Sequence, residues 1–202
     1  MSVSSANSNY NSLNIMMTYI SIIRGINVTG NKLLKMDDLR KMYEGLHFKN
    51  VRTYIQSGNV IFQHDSSELK ELEGKISAEI KNHFGYDVAV MVLKTGELAD
   101  IIHRNPLKND PTRDIAFMHV TILSSDPGPV DLEFINSKKA PGEELFLAGR
   151  AIYLYCPYGY GKTRLNNNFL ESRLKVKATT RTWKTALELL RIAESNIHFP
   201  IS

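Results

Sequence analysis

The chain has 202 residues, 43% of them apolar, enough for one domain or for two small ones sharing a core. Its 25 Lys and Arg against 21 Asp and Glu leave a formal charge of +4, too mild to require nucleic acid and favourable to anionic partners only where the cations cluster. The single cysteine, Cys156, excludes an internal disulfide framework, scattered histidines exclude paired zinc ligands, and no apolar run is long enough to span a bilayer.

The opening stretch is rich in Ser and Asn and lacks the basic start and apolar centre of a signal peptide, so residues 1–16 are expected to be a disordered lead-in. Met16 and Met17 stand just before the first apolar run, where an alternative translation start would fall. A cytoplasmic protein with no membrane partner is expected.

Residues 19–24 form a short apolar run stopped by Gly25 and read as a strand. Met36, Leu39, Met42, Tyr43 and Leu46 follow at helical spacing, with Asp37 and Asp38 suited to the first turn. Two strands over 51–56 and 60–63 are joined through Ser57-Gly58-Asn59, a tight hairpin signal. Leu69, Leu72, Ile76 and Ile80 mark a second helix closed by Gly85, and 88–93 returns as a strand. This is the βαββαβ order of a ferredoxin-like unit.

A short helix over 96–103 and a polar loop rich in Asn and Pro lead to a partial repeat of the pattern. It comprises a strand over 116–123, a helix over 130–139 and a hairpin of 144–148 with 152–156 around Gly149-Arg150. A helix marked by Leu165, Phe169, Leu170 and Leu174 comes next, then a weak strand over 175–180. A terminal helix follows, with Trp183, Leu187, Leu190 and Ala193 on its apolar stripe. The expected fold is therefore α+β: two ferredoxin-like (split βαβ) subdomains over 17–104 and 115–202, a linker over 105–114, and an extra C-terminal helix.

Three blocks at the ends of apolar runs mix glycine or threonine with amides and a fixed cation. In Arg24-Gly25-Ile26-Asn27-Val28-Thr29-Gly30, the glycines permit positive φ and an anion-binding nest of N–H groups, and Arg24 offers a fork to phosphate or carboxylate. The alternative is a loop shaped by glycine with Arg24 paired to an acid. Gln56, Ser57 and Asn59 place two amides and a hydroxyl in one turn, while Arg52 and Tyr54 share a strand face on which a base could stack. In Thr179-Thr180-Arg181-Thr182-Trp183-Lys184-Thr185, Thr182 is the expected N-cap and Trp183 a core residue. Arg181 beside a helix N-terminus calls for an anion, either a ligand or an internal acid.

The segment Tyr158-Gly159-Tyr160-Gly161-Lys162-Thr163 resembles the end of a phosphate-binding loop but has Cys156 where the earlier glycine belongs; Lys162 could still assist a phosphate electrostatically. Catalytic constellations are missing: there is no Gly-x-Ser-x-Gly elbow, Cys156 sits in an inert apolar setting, and His119 reads as a structural mid-strand histidine. No cofactor or metal is expected.

Taken together, R-G-I-N-V at 24–28, V-R-T-Y-I-Q-S-G-N-V-I-F at 51–62 and the T-T-R-x-W-x-T block at 179–185 resemble the bacterial domain-of-unknown-function family 1697 (DUF1697) over residues 17–195. The family usually has asparagines where Thr182 and Lys184 stand here. The resemblance implies two ferredoxin-like subdomains in a soluble bacterial protein and no particular reaction.

Three functions fit these observations. The first is a protein binding an anionic small molecule or nucleic acid through Arg24, Asn27, Gln56, Ser57, Asn59, Lys162, Thr180 and Arg181. The second is an enzyme acting on a small phosphorylated metabolite by positioning and electrostatics. The third is a regulatory or assembly module whose motifs only hold the fold, in which case Arg24 and Arg181 are spent internally.

Overall fold

The computed structural model describes residues 16–28, 32–65 and 68–196. The expected lead-in, apart from Met16, and the Thr29-Gly30 end of the first block lie outside the described residues. The first half runs β1 (Met17–Ile23), α1 (Met36–Gly45), β2 (Lys49–Tyr54), β3 (Asn59–His64), α2 (Leu69–Phe84), β4 (Val90–Lys94) and α3 (Thr95–His103). The second runs β5 (Met118–Leu123), α4 (Leu132–Asn136), β6 (Glu144–Ala148), β7 (Ala151–Tyr155), α5 (Asn167–Leu174), β8 (Ala178–Thr182) and α6 (Trp183–Asn196). Each half forms a four-stranded antiparallel sheet, ordered β2-β3-β1-β4 and β6-β7-β5-β8. Both orders are ferredoxin-like, so the fold is α+β as its element order implies.

Both faces of both sheets are covered, which explains why the central strands read as continuous apolar runs. Successive residues of β1 point to opposite faces. Tyr19 and Ile23 pack with Phe62, Tyr43 and Ile76 under α1 and α2. Ile20 and Ile22 join a second core shared by both halves, where they meet Ile61, Val120, Ile122, Tyr153 and Trp183. The third core, with Leu123, Leu154, Leu170 and Leu174, lies on the far face of the second sheet.

The terminal helix α6 belongs to this shared middle layer. It touches β1 and β3 of one sheet and β5 and β8 of the other, and α3 packs beside it. Trp183, Ala186, Leu189 and Ala193 are its buried apolar positions, whereas Leu187 is exposed; the stripe is rotated from the one read in the sequence, because α6 must face two sheets at once. Thr182 caps it as expected, its Oγ1 accepting from the Thr185 N–H at 3.2 Å.

Several element ends differ from their sequence reading, the strand read over 51–56 being Lys49–Tyr54 and the one read over 116–123 starting at Met118, and two differences are larger. The helix expected over 130–139 shrinks to Leu132–Asn136: Asp131 caps the Phe134 N–H after Pro129, and the Ser137 hydroxyl turns back onto the Phe134 carbonyl. The strand expected at 175–180 is shifted to Ala178–Thr182, since Lys175 closes α5 in a left-handed conformation (φ 59°). Gly85 ends α2 at φ 75°, the left-handed cap its position predicted.

The β2–β3 turn fixes the entry to the site. Gly58 has φ +72°, and a Cβ there would lie 2.6 Å from Ile26 Cδ1 and 3.0 Å from Ile23 Cβ. Gly58→Ala therefore combines a backbone strain with a steric clash, and should lower stability by about 2 kcal/mol or more. Urea denaturation checks this; an unchanged midpoint would show that the hairpin tip can move away from Ile26.

Candidate functional site

The three blocks meet between the halves. Arg181, on β8, extends its guanidinium into the first half and spends all five N–H donors there and on its own strand. Nε donates to Asn59 Oδ1 (2.7 Å), Nη2 to the carbonyls of Ile23 (2.9 Å) and Ser57 (2.8 Å), and Nη1 to Thr179 Oγ1 (3.1 Å) and the Thr180 carbonyl (3.0 Å). None of these acceptors is a carboxylate. Burial pushes the guanidinium down to about 10, still protonated at neutral pH. The internal acid that one sequence reading required is not its partner; peptide and amide dipoles hold the cation instead.

The other amides of the motifs build the seat for Arg181. Asn59 is fully buried, and its Nδ2 ties Ser57 Oγ (2.9 Å) and the Tyr54 carbonyl (3.1 Å), leaving Oδ1 for the guanidinium. Asn27, at φ 54°, accepts from the Leu34 N–H (2.7 Å) and donates to the carbonyls of Leu34 (2.9 Å) and Gln56 (2.8 Å), joining the first block to the second. The Gln56 side chain itself points to solvent.

Arg24 makes the second link. Its Nη1 contacts both carboxylate oxygens of Glu171 on α5 at 2.7 Å, and its Nη2 donates to Asn168 Oδ1 at 2.6 Å. The fork offered to a ligand in the sequence reading is thus half occupied by an internal acid. Nε and one Nη2 hydrogen remain.

Beside these links lies a cleft of about 510 Å³ lined by Arg24, Tyr160, Asn166, Asn167, Thr180 and Arg181, with Gly25, Asn168, Val28 and Thr179 completing its wall. Its polar groups are organised by a hydroxyl chain. Tyr160 O–H donates to Thr180 Oγ1 (2.9 Å), which donates to Asn167 Oδ1 (2.7 Å) and lies 2.7 Å from Thr121 Oγ1. Burial raises the Tyr160 phenol above its usual range, so it stays a donor. On its other side the Tyr160 ring stacks on His119 at 5.1 Å. His119 is itself buried, with its imidazole held below the usual histidine range by desolvation, the structural role expected of it.

Asn166, Asn167 and Asn168 were not singled out by sequence; three successive asparagines at a helix start were the available signal. Each spends its carbonyl oxygen internally, on the Phe169 N–H, the Thr180 hydroxyl and Arg24 respectively. Arg24 and a backbone N–H can only donate, which fixes the orientation of two of these amides. Among the described residues, the NH2 groups of all three are unspent.

Lys162 does not join this cleft. It is exposed in a short 3-10 turn, Tyr160–Lys162, and α5 begins only at Asn167, so the phosphate cradle imagined for 158–163 lacks its helix. The stacking face read at Arg52 and Tyr54 is not free either: Arg52 is exposed, but Tyr54 packs against the middle core. Cys156 is buried, its thiol pushed up to about 12 mainly by desolvation. Among the described residues no group of three or more His, Cys, Asp or Glu is placed to hold a metal, and no helix is long and apolar enough to cross a membrane.

Fold and cleft together define a class: a two-sheet α+β protein whose halves are pinned by arginines and enclose a polar cleft. The chain belongs to DUF1697, a family described as "Protein of unknown function", whose model matches residues 16–153. The third block, at 179–185, lies beyond that match. No curated protein is similar to the chain in sequence. Among solved structures it is similar to the conserved bacterial protein SP0830 from Streptococcus pneumoniae, with a TM-score of 0.68 and 22% identity over 89% of this chain and 99% of that one. At that identity the likeness speaks to the fold.

The two arginines differ in what they leave behind when removed. Arg181→Ala strands several buried acceptors and should cost about 3 kcal/mol or more, with Arg181→Lys intermediate because an ammonium has three donors and no fork. Arg24→Ala removes a partly exposed ion pair and should cost about 1 kcal/mol. Denaturant midpoints of the three variants test this order; equal losses for both alanines would contradict it.

Proposed function

We propose that the protein binds a small ligand carrying an oxyanion, a phosphate or a carboxylate, in the cleft between its halves. One observation carries this reading: on Arg24, Asn166, Asn167 and Asn168 the unspent groups are N–H donors, while each amide oxygen already accepts an internal hydrogen bond. Such a surface is complementary to an oxyanion, which brings several acceptor sites and a negative charge to the same place. The Arg181 cation, with no carboxylate among its partners, adds a positive potential in the same cleft.

The supporting geometry favours binding over turnover. Of the residues lining the cleft, the titratable ones are Arg24, Arg181 and Tyr160, and each is committed to an internal partner. Nucleic acid is disfavoured as the source of the oxyanion, since both faces of each sheet are covered.

Asn167→Asp is the discriminating variant. It keeps the acceptor for Thr180, swaps an NH2 for a negative charge, and places an acid in the first turn of α5, where a carboxylate is favourable. Inorganic phosphate at about 100 times its dissociation constant should stabilise wild type by about 2.7 kcal/mol, a shift of several degrees. In Asn167→Asp the affinity should fall on the order of tenfold or more while the ligand-free melting temperature holds or rises. Absence of a shift in wild type with phosphate, sulfate and citrate, or equal affinity in the variant, would overturn the reading.

A further inference from the structure

Arg24 and Gly25 line a second groove as well. It has a volume of about 540 Å³, and its other walls are Lys32, Asp87 to Ala89, and Lys177. The two spaces therefore share Arg24 at their border. They differ in chemistry: the first is walled by amides and hydroxyls, the second by two ammonium groups and one carboxylate. The Lys32 ammonium is anchored on the Asp87 carbonyl at 2.7 Å, which fixes a cation at the groove wall. Lys177 is exposed, and only its backbone is engaged, with Ser124. Counting Arg24 with its partner Glu171 as neutral, Lys32 and Lys177 outweigh Asp87 by one charge, and no side chain among the described residues neutralises the surplus in that groove.

We infer that the ligand is a two-headed anion seated astride Arg24, with one oxyanion among the amides of Asn166 to Asn168 and a second against Lys32 and Lys177. This rests on the oxyanion reading of the first cleft. Arg24 is suited to the bridging position because it lines both spaces, and Nη1 is held by Glu171 while Nε and one Nη2 hydrogen stay available. Each space is within the usual size for small-molecule sites, and a single phosphate fills neither. Diphosphates, their esters and longer polyphosphates have this chemistry.

The experiment is isothermal titration of inorganic phosphate, pyrophosphate, tripolyphosphate and ADP into wild type, Lys177→Ala, Lys177→Glu and Asn167→Asp. For wild type, pyrophosphate or tripolyphosphate should bind on the order of tenfold more tightly than phosphate. Lys177→Ala should remove about three- to fivefold of that gain and Lys177→Glu most of it, and both should lower polyanion affinity more than phosphate affinity. Raising salt should shrink the gain, because the lysine groove is open to solvent. ADP binding at least as tightly as pyrophosphate identifies an ester, and weaker binding identifies the free polyanion; either agrees with two heads. Phosphate binding that is lost in Asn167→Asp, with no gain for either polyanion or a gain indifferent to Lys177, overturns the second head and leaves the first cleft standing. Binding of none of the four to wild type overturns both.

Discussion

The structure depends on one guanidinium. Arg181 reaches from the edge strand of the second sheet into the first half, where its planar fork is matched by acceptors from the end of β1, the β2–β3 turn and its own strand. Most of the motif residues can be understood as conditions for that match. Gly58 lets the turn lie against Ile26, Asn59 holds the turn and aims one oxygen outward, and Asn27 ties the loop after β1 to the same turn. Because every acceptor is neutral, the charge is solvated but not cancelled. The contact that fastens the halves therefore also polarises the space beside them.

That space is preorganised. The amides of Asn166 to Asn168 are held by partners within the protein, and Arg24 is held by Glu171, so these side chains have little freedom left to lose. The walls are supported from behind by the middle layer, in which α3 and α6 fill the gap between two sheets and Trp183 packs edge-on against Tyr153 at 6.5 Å. Relative movement of the halves would have to break both a shared apolar core and the Arg181 network. The cleft is accordingly a fixed feature of the fold, and the two arginines fasten its walls.

Much of this was legible in the amino-acid sequence, for a local reason. Period-2 and period-3.6 patterning, Gly85 after α2 and Thr182 before α6 are near-neighbour effects, so the element order and the ferredoxin-like repeat follow from them. The inert state of Cys156 and the structural state of His119 were readable from flanking apolar residues. Where local signals compete, the reading slipped: Lys175 looks like strand but caps a helix, and the α6 stripe was misjudged because its two flanking sheets are invisible along the chain.

The sequence by itself determined the elements, their order, and the three blocks that had to matter. The tertiary structure alone decided what each block touches. Arg24 meets Glu171 across 147 positions, Arg181 meets Asn59 across 122, and neither pairing leaves a trace at either end, because long-range hydrogen bonds are selected by the folded geometry of both partners at once. The same holds for Lys162, which resembled a phosphate ligand locally and lies outside the cleft, and for Asn167, which was not singled out by sequence and lines it.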